Sequence, residues 1–359
     1  MSAEPAAMHE APARIRAHEP GRDAAWDRYA EGHSGYTIYH GRAFHDAVAV
    51  AFGKASHGLV AEDGAGCIVG VLPLVRQRSR LFGDRLVSLP YANHGGPLAD
   101  SPAVAQALLA AAAAHADALG CDRLEIRDPG ERALDWPTHT DKVLMTRDLP
   151  GSPEALGREL GAKLRSQCRR ALKEGATVEF GGAGLIPAFY RVFAANMRDL
   201  GTPVYPVRWF EVLAQHLGAR LEFAVVTLAG EAVAGAVLVR WNDTMEIPWA
   251  ASARACQRYA VNMLLYRAAL DHAIDTGCKR FDFGRSTRGS GTWRFKRQWG
   301  AEETQIHWRM RHRDGAIPAA RASGGKEGRM TEILRRAWTR LPLAVANRVG
   351  PMISAELPW

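Results

Sequence analysis

One pattern occurs twice in this chain and limits what it can fold into. Residues 58–62 and 67–75 are apolar runs joined by Asp63-Gly64-Ala65-Gly66, a hairpin signal. A third run at 85–89 follows, then an alanine-rich helical stretch at 103–119 closed by Gly120, then a strand-like run at 123–127. In the second half, runs at 221–228 and 232–241 are joined by Ala229-Gly230-Glu231. The third run there is 245–250, the helix is 261–275 closed by Gly277, and the last strand is 280–283. The final step reads Leu-Gly-Cys-Asp-Arg-Leu-Glu-Ile at 119–126 and Thr-Gly-Cys-Lys-Arg-Phe-Asp-Phe at 276–283. The expected architecture is therefore mixed α/β, two copies of one unit, with an N-terminal domain over 23–150 and a C-terminal domain over 151–313. Further helices are expected at 42–52, 153–173, 185–200 and 207–217, and a strand at 304–311. Residues 1–22 read as a disordered lead and 314–330 as a flexible linker. The segment 331–359 reads as a basic amphipathic helix and a tail interrupted by Pro342, Pro351 and Pro358.

Charge is divided unevenly between the two copies. The net charge is +8, but residues 1–150 hold 15 Lys and Arg against 19 Asp and Glu, while 151–359 hold 31 against 19. The second half is thus the part expected to meet an anionic donor or carrier. The composition, 47% hydrophobic and 23% charged, excludes a largely disordered chain. The longest apolar stretch, 103–119, carries Gln106, His115 and Asp117, so no membrane span is expected, and residues 1–20 lack the apolar core of a signal peptide. Five scattered cysteines without a C-x-x-C pair suggest neither a disulfide framework nor a metal site. A cytoplasmic protein is expected, with the tail either resting on the inner-membrane surface through Trp338 and Trp359 or packing on the body.

Chemistry-bearing residues concentrate in one segment. Phe281-Asp282-Phe283-Gly284-Arg285-Ser286 runs into a glycine-rich loop and then Thr292-Trp293-Arg294-Phe295-Lys296-Arg297-Gln298-Trp299-Gly300. From Arg285 to Arg313 there are eight Lys and Arg against two acids. Cations interleaved with aromatic rings suit a phosphate or other oxyanion, with a solvated basic loop as the bland alternative. Arg258, Tyr259 and Asn262 stand at the start of the 261–275 helix, where free N–H groups favour anions, although Asn262 could be only a cap. Arg165 and Arg169 lie on the polar face of 153–173, opposite Leu156, Leu160, Leu164 and Leu172, and offer either a docking face for an anionic chain or a solvated one. Asp282-Phe283-Gly284 and His312-Arg313-Asp314 mimic kinase triplets in the wrong order, and no G-x-S-x-G, H-E-x-x-H or Walker A motif occurs.

Together, Asn93-His94-Gly95-Gly96-Pro97-Leu98-Ala99, the helix around Asn262-Met263-Leu264-Leu265-Tyr266, Asp282-Phe283-Gly284-Arg285-Ser286 and Phe295-Lys296-Arg297-Gln298-Trp299-Gly300 resemble Fem-type acyltransferases. The nearest likeness is to FemAB-related proteins associated with PEP-CTERM/exosortase and exopolysaccharide gene clusters, over about residues 30–312 and 341–351. The resemblance implies tandem GNAT-like domains. It also implies transfer of an acyl or aminoacyl group to an amine on a cell-envelope, peptidoglycan or polysaccharide precursor. Through the Fem Phe-Lys motif it points to Phe295 and Lys296 as active-site residues. The donor stays open between aminoacyl-tRNA and acyl-CoA. The helical insertion some Fem proteins use for tRNA is absent, and Gln257-Arg258-Tyr259-Ala260-Val261-Asn262 lacks the glycines of an ordinary CoA loop.

On this reading Lys296 stabilises an oxyanion, Phe295 and Trp299 exclude water, and Asp282 is a base or a structural acid. Arg258 and Asn262 hold donor phosphates, Arg285, Ser286 and Tyr259 orient substrate, and Asn93, Gly95 and Gly96 line a cleft from the first domain. No bound cofactor or metal is called for. Two other classes remain: a non-catalytic binder of an anionic polysaccharide or lipid-linked precursor, and a nucleic-acid binder whose affinity would fall steeply with salt.

Overall fold

The computed structural model describes residues 13–79, 82–132, 134–315 and 326–357. The first half contains β1 (Arg14–Ala17), α1 (Asp23–Gly32), α2 (Arg42–Phe52), β2 (Leu59–Glu62), β3 (Ile68–Leu72), β4 (Val75–Ser79), β5 (Gly83–Val87), β6 (Leu98–Ala99), α3 (Pro102–Ala118), β7 (Arg123–Asp128), β8 (Thr138–His139) and β9 (Lys142–Asp148). The second contains α4 (Pro153–Glu159), α5 (Ala162–Lys173), β10 (Thr177–Gly181), α6 (Ile186–Leu200), α7 (Val207–Leu217), β11 (Leu221–Leu228), β12 (Glu231–Trp241), β13 (Thr244–Ser252), α8 (Val261–Asp275), β14 (Arg280–Thr287), α9 (Gly291–Arg297), β15 (Glu302–Gln305) and β16 (His307–His312). Two helices, α10 (Lys326–Thr339) and α11 (Leu343–Ser354), complete the described chain.

The repeated Gly-Cys-x-Arg step is a helix-to-strand turn made twice. Gly120 and Gly277 take φ of +71° and +84°, and the next N–H reaches back five residues, Cys121 to Ala116 O and Cys278 to Ala273 O, both 2.9 Å. This Schellman closure needs glycine at the left-handed position and an apolar residue after it, and both cysteines are buried. The following arginine opens a strand that pairs in parallel with a strand that precedes the helix in the chain: β7 with β5, and β14 with β13.

Sheet membership does not follow chain position. Three sheets form, with orders β1-β2-β3-β6, β4-β5-β7-β16-β8 and β10-β11-β12-β13-β14-β9-β15. Strand β9, inside the span expected for the first domain, lies between β14 and β15 of the second half's sheet. Strand β16, from the span expected for the second, pairs with β7 of the first. The boundary expected at 150 is therefore crossed twice.

Other expectations need correction. Residues 14–17, assigned to a disordered lead, form β1 against β2; residues 1–12 lie outside the described residues. The run 67–75 is two strands in different sheets, divided at Pro73, which cannot donate to a ladder. The expected helix 153–173 breaks at Leu160–Gly161 into α4 and α5. Leu156, Leu160 and Leu164 are buried, but Leu172 is 54% exposed rather than in the core. The strand 304–311 divides at Ile306 into β15 and β16, which belong to different sheets. The aromatic and basic run is helical: Ser290 Oγ accepts from Trp293 N at 3.2 Å and caps α9. Of the expected linker, 316–325 lies outside the described residues, and α10 begins at Lys326, earlier than expected. Among the described residues no helix is long and apolar enough to cross a membrane.

Three apolar cores hold the layers together. One lies under α3 (Leu72, Leu86, Leu108, Leu124, Ile126), and another lies between the seven-stranded sheet, α5 and α8 (Met145, Leu264, Phe281, Phe283, Trp299). The third joins the halves: Trp26, Tyr39 and Phe44 pack with Phe189, Trp209 and Phe210 of α6 and α7. Each such side chain contributes roughly 1.5–3 kcal/mol on burial, so neither half is an independent body. A fragment of residues 151–313, which lacks β9 and the joint core, should show no cooperative thermal transition by circular dichroism. A sharp transition would mean that the strand exchange is dispensable.

Candidate active site

Strands β13 and β14 pair in parallel over only three residues, ending at Glu246 opposite Asp282. Beyond that point β13 runs six more residues, to Ser252, paired on its other side alone with β12. Strand β14 turns away through a register shift between Asp282 and Arg285 in its pairing with β9. Gly284 sits in that shift at φ +73°, and a Cβ there would lie 2.9 Å from Asn93 Nδ2. Glycine is thus required twice, for the left-handed backbone and for the close approach. Asn93 enters the gap from the loop after β5. Its amide donates to Glu246 Oε1, and its Oδ1 accepts from Arg285 N at 3.3 Å. Gly95 and Gly96 allow that approach: a Cβ would meet Leu89 at 2.7 Å and Asp128 at 2.6 Å respectively.

Three titratable groups meet behind the gap. Tyr39 hydroxyl donates to Glu246 Oε1 at 2.6 Å, and the other carboxylate oxygen is buried without a partner. Asp282 Oδ1 accepts from Gly284 N at 2.7 Å. Lys296, carried by α9, is 7% exposed and donates to the carbonyls of Gly284 and Arg285 at 3.0 and 2.9 Å, so its ammonium clamps the shifted strand. Burial pushes Glu246 up to about 8, reinforced by Asp282. Burial also pushes Asp282 up, against the Gly284 N–H and Lys296, and lowers Lys296 to about 8 against the pull of both acids. Such a cluster holds a proton between its carboxyls near neutral pH and can accept or give one there.

A cavity of about 260 Å³ opens on this gap, lined by Tyr39, Asn93, Tyr205, Trp249 and Arg285 among others. A second opening of about 470 Å³ follows it between α6 and the end of β13, and Asn196 borders both. Six residues of strand span about 20 Å, so Ser252 and Arg254 lie about that far from Glu246. After β13 the chain passes through residues 254–259 to α8, which begins without a side-chain cap on its N–H groups, after Ala260 in the left-handed region. Arg258 is exposed and stacks over Tyr259 at 4.6 Å, donating to its hydroxyl at 2.6 Å, and Asn262 is half-buried.

The expected site residues therefore fall into groups. Asn93, Asp282, Arg285 and Lys296 come together, and Ser286 is buried beside them on β14 with its hydroxyl unpartnered. Arg258, Tyr259 and Asn262 form the far end. Phe295 packs edge-on to Tyr266 at 4.8 Å, and Trp299 is fully buried in the same aromatic core, so both support α9 from beneath. Gly95 and Gly96 are buried spacers. Arg165 donates to the carbonyls of Gly157 and Leu160, which ties off the end of α4, and Arg169 is exposed. Glu246, Tyr39, Tyr205 and Trp249 were not anticipated. Glu246 left one signal, a lone acid inside the apolar run 245–250. Among the described residues no cluster of His, Cys, Asp and Glu could hold a metal ion.

Residues 162–297 match the family profile of the acetyltransferase (GNAT) domain. Among solved structures, FemX superposes with a TM-score of 0.61 at 14% identity, over 82% of this chain and 97% of that one. The C-terminal domain of a putative lysylphosphatidylglycerol synthetase from Agrobacterium fabrum gives 0.54 at 13% identity, over 88% and 97%. A tandem GNAT protein from the clavulanic acid biosynthesis pathway gives 0.50 at 12% identity, over 83% and 97%. No curated protein matches the chain in sequence. The fold is the tandem GNAT-like, mixed α/β arrangement expected.

The site makes two predictions. Between the ordinary glutamate range and about pH 8 the folded protein keeps a proton on Glu246 that the unfolded chain has released. Stability therefore falls as pH rises through that window, and Glu246→Gln should gain about 1–3 kcal/mol on wild type across it in chemical denaturation. Parallel curves would show an ordinary carboxyl. Gly284→Ala should cost about 1–3 kcal/mol by the same measurement, less when Asn93→Ala removes the contact.

Proposed function

We propose that the chain is a GNAT-type acyltransferase that moves an acyl or aminoacyl group from a phosphate-bearing donor to an amine on a cell-envelope or polysaccharide precursor. The observation that carries this reading is the parting of β13 and β14 at Glu246 and Asp282, which exposes one edge of β13 directly beside a proton-holding cluster. The donor lies along that edge. Its phosphates meet Arg254, Arg258 and the first N–H groups of α8, and its carbonyl reaches the gap at Asn93 and Arg285.

The amine nitrogen attacks the carbonyl carbon, and the C–N bond forms as the carbonyl oxygen takes up charge. Lys296 supplies a fixed positive charge beside that oxyanion, with two of its protons committed to the Gly284 and Arg285 carbonyls. The ammonium proton passes to the Glu246–Asp282 pair, through Tyr39 where the amine does not reach the carboxyls directly. The C–S or C–O bond to the donor then breaks, and the leaving thiolate or alkoxide takes a proton from the same cluster. The acidic pair and the Tyr39–Asn93 contacts suit catalysis better than binding alone.

Donor use is read as thiol release from acyl-CoA or loss of label from charged tRNA, with amine-bearing envelope precursors as acceptors. Lys296→Ala, with its folded state verified by circular dichroism, should lower turnover by about 10²–10³ and leave donor affinity nearly intact. Arg258→Gln should do the reverse, raising KM more than it lowers kcat. Near-wild-type turnover in Lys296→Ala would sink the assignment, and a protein that binds donor without consuming it would be a binder.

A further inference from the structure

Behind Arg285, the one cation lining the 260 Å³ cavity, lies more buried positive charge than the described residues neutralise. Arg285 lines the cavity and lies 4.7 Å from the ring centre of Trp308. Arg127 lies 4.3 Å from the same ring and is 1% exposed. Behind them, on the same face of the β4–β8 sheet, stand Arg85, also 1% exposed, and the half-buried Arg123. Among the described residues one carboxylate pairs with these four guanidinium groups: Glu125, 2.7 Å from Arg127. Asp128 does not supply the missing charge, because it pairs with Arg132 at 2.8 Å and with Arg309 of β16 at 3.8 Å.

The hydrogen-bond inventory has the same imbalance. Arg85 Nε and Nη1, Arg123 Nε, Arg127 Nη1, Arg285 Nη1 and Trp308 Nε1 are all buried and unpartnered. Arg85 donates to the Glu356 carbonyl at 3.4 Å, and Gln77, its cross-strand partner on β4, keeps its side-chain oxygen buried and unpartnered. Burial and the neighbouring cations, Arg123 for one and Arg127 for the other, push Arg85 and Arg285 down to about 10. Buried guanidinium groups without counter-charge are costly, and buried N–H groups are almost always paired. Clustered behind a cavity that Arg285 lines, unpaired cations and donors are the arrangement an oxyanion would complete.

We propose that the end of the cavity at Arg285, backed by Trp308, Arg127 and Arg85, is an oxyanion subsite that takes a carboxylate or phosphate group of the acceptor. The anion accepts from the Arg285 guanidinium and offsets the charge that Glu125 leaves over on Arg285, Arg127 and Arg85. Assignment of the anion to the acceptor rests on the acyl-transfer reading, because the donor's phosphates sit at the opposite end, near Arg258. The subsite itself does not depend on that reading. The acceptor is then an amine carrying a negative group within the reach of one small cavity, rather than a neutral or cationic amine.

The test is calorimetric titration of the full chain with inorganic phosphate and with acetate at fixed ionic strength. It is run in an Arg258→Gln background, which removes donor-end binding. The expected result is binding of one or both at a Kd below about 10 mM, weakened at least about tenfold by Arg127→Gln and by Arg285→Gln. Binding of phosphate alone assigns a phosphorylated acceptor, and of acetate alone a carboxylated one. No binding of either anion, or binding that both substitutions leave unchanged, overturns the proposal. Where Arg127→Gln does not fold, Arg85→Met carries the test. It should keep or raise the thermal midpoint in anion-free buffer and lose the rise that the anion gives wild type. A lowered midpoint with the anion response intact is the overturning result. Absence of acyl transfer with the anion binding preserved would remove the functional reading and leave the subsite standing.

Discussion

The parallel ladder between β13 and β14 runs out at Glu246 and Asp282, and most of what is particular to this molecule follows from that break. A strand edge freed inside a protein must find other partners or face a cavity, because an unpaired buried backbone group costs as much as a lost hydrogen bond. Here the gap is spanned at its root by one side chain, Asn93, bonded to Glu246 on one strand and to the Arg285 N–H on the other. Further along, the β13 edge is left to the two openings. Asn93 belongs to the first half, so the first half closes the root of a gap opened in the second.

That arrangement accounts for the polarity of the interior. Glu246, Asp282 and Lys296 are buried together, and each alone would be expensive to ionise. Side by side, the ammonium offsets the charge of the pair, and the backbone carbonyls of Gly284 and Arg285 absorb two of its protons. The cost of burying them is met by the cores around them, chiefly the aromatic cluster of Phe283, Phe295, Tyr266 and Trp299, which seats α9 and hence the lysine. The aromatic residues of the Phe-Lys segment therefore act through packing, and its cation acts through position.

Much of this fold was legible in the sequence because its signals are local. Helix ends at Gly120 and Gly277, the two hairpins and the doubled unit depend on residues a few places apart. Sheet membership is not local. Nothing in residues 142–148 or 307–312 tells which half will pair with them, and β9 and β16 exchange because each finds an open edge in the other half's sheet. The Leu160–Gly161 break was hidden by leucines that keep helical spacing across it. The site divides in the same way. Lys296, Asp282, Arg285 and Asn93 stood in dense motifs, whereas Tyr39 reaches Glu246 across 207 residues and carried no pattern at all. Glu246 did carry one, since an acid among apolar strand residues must be paired, protonated or functional.

The exchange of strands and the placing of the site impose one constraint on each other. Strand β9 holds β14 on the side away from β13, and the turn in β14 at Gly284 is defined by its register shift against β9. Strand β16 holds Trp308 opposite Arg127 and beneath Arg285. Each exchanged strand thus backs the Arg285 wall of the cavity, β9 by pairing with β14 and β16 through Trp308. A tandem built from two self-contained units would meet at a surface free to shift, as interfaces between domains commonly do. Sharing strands removes that freedom where the gap must stay open by a fixed amount. The exchange is best understood as what allows a break in a sheet to be held as a rigid site.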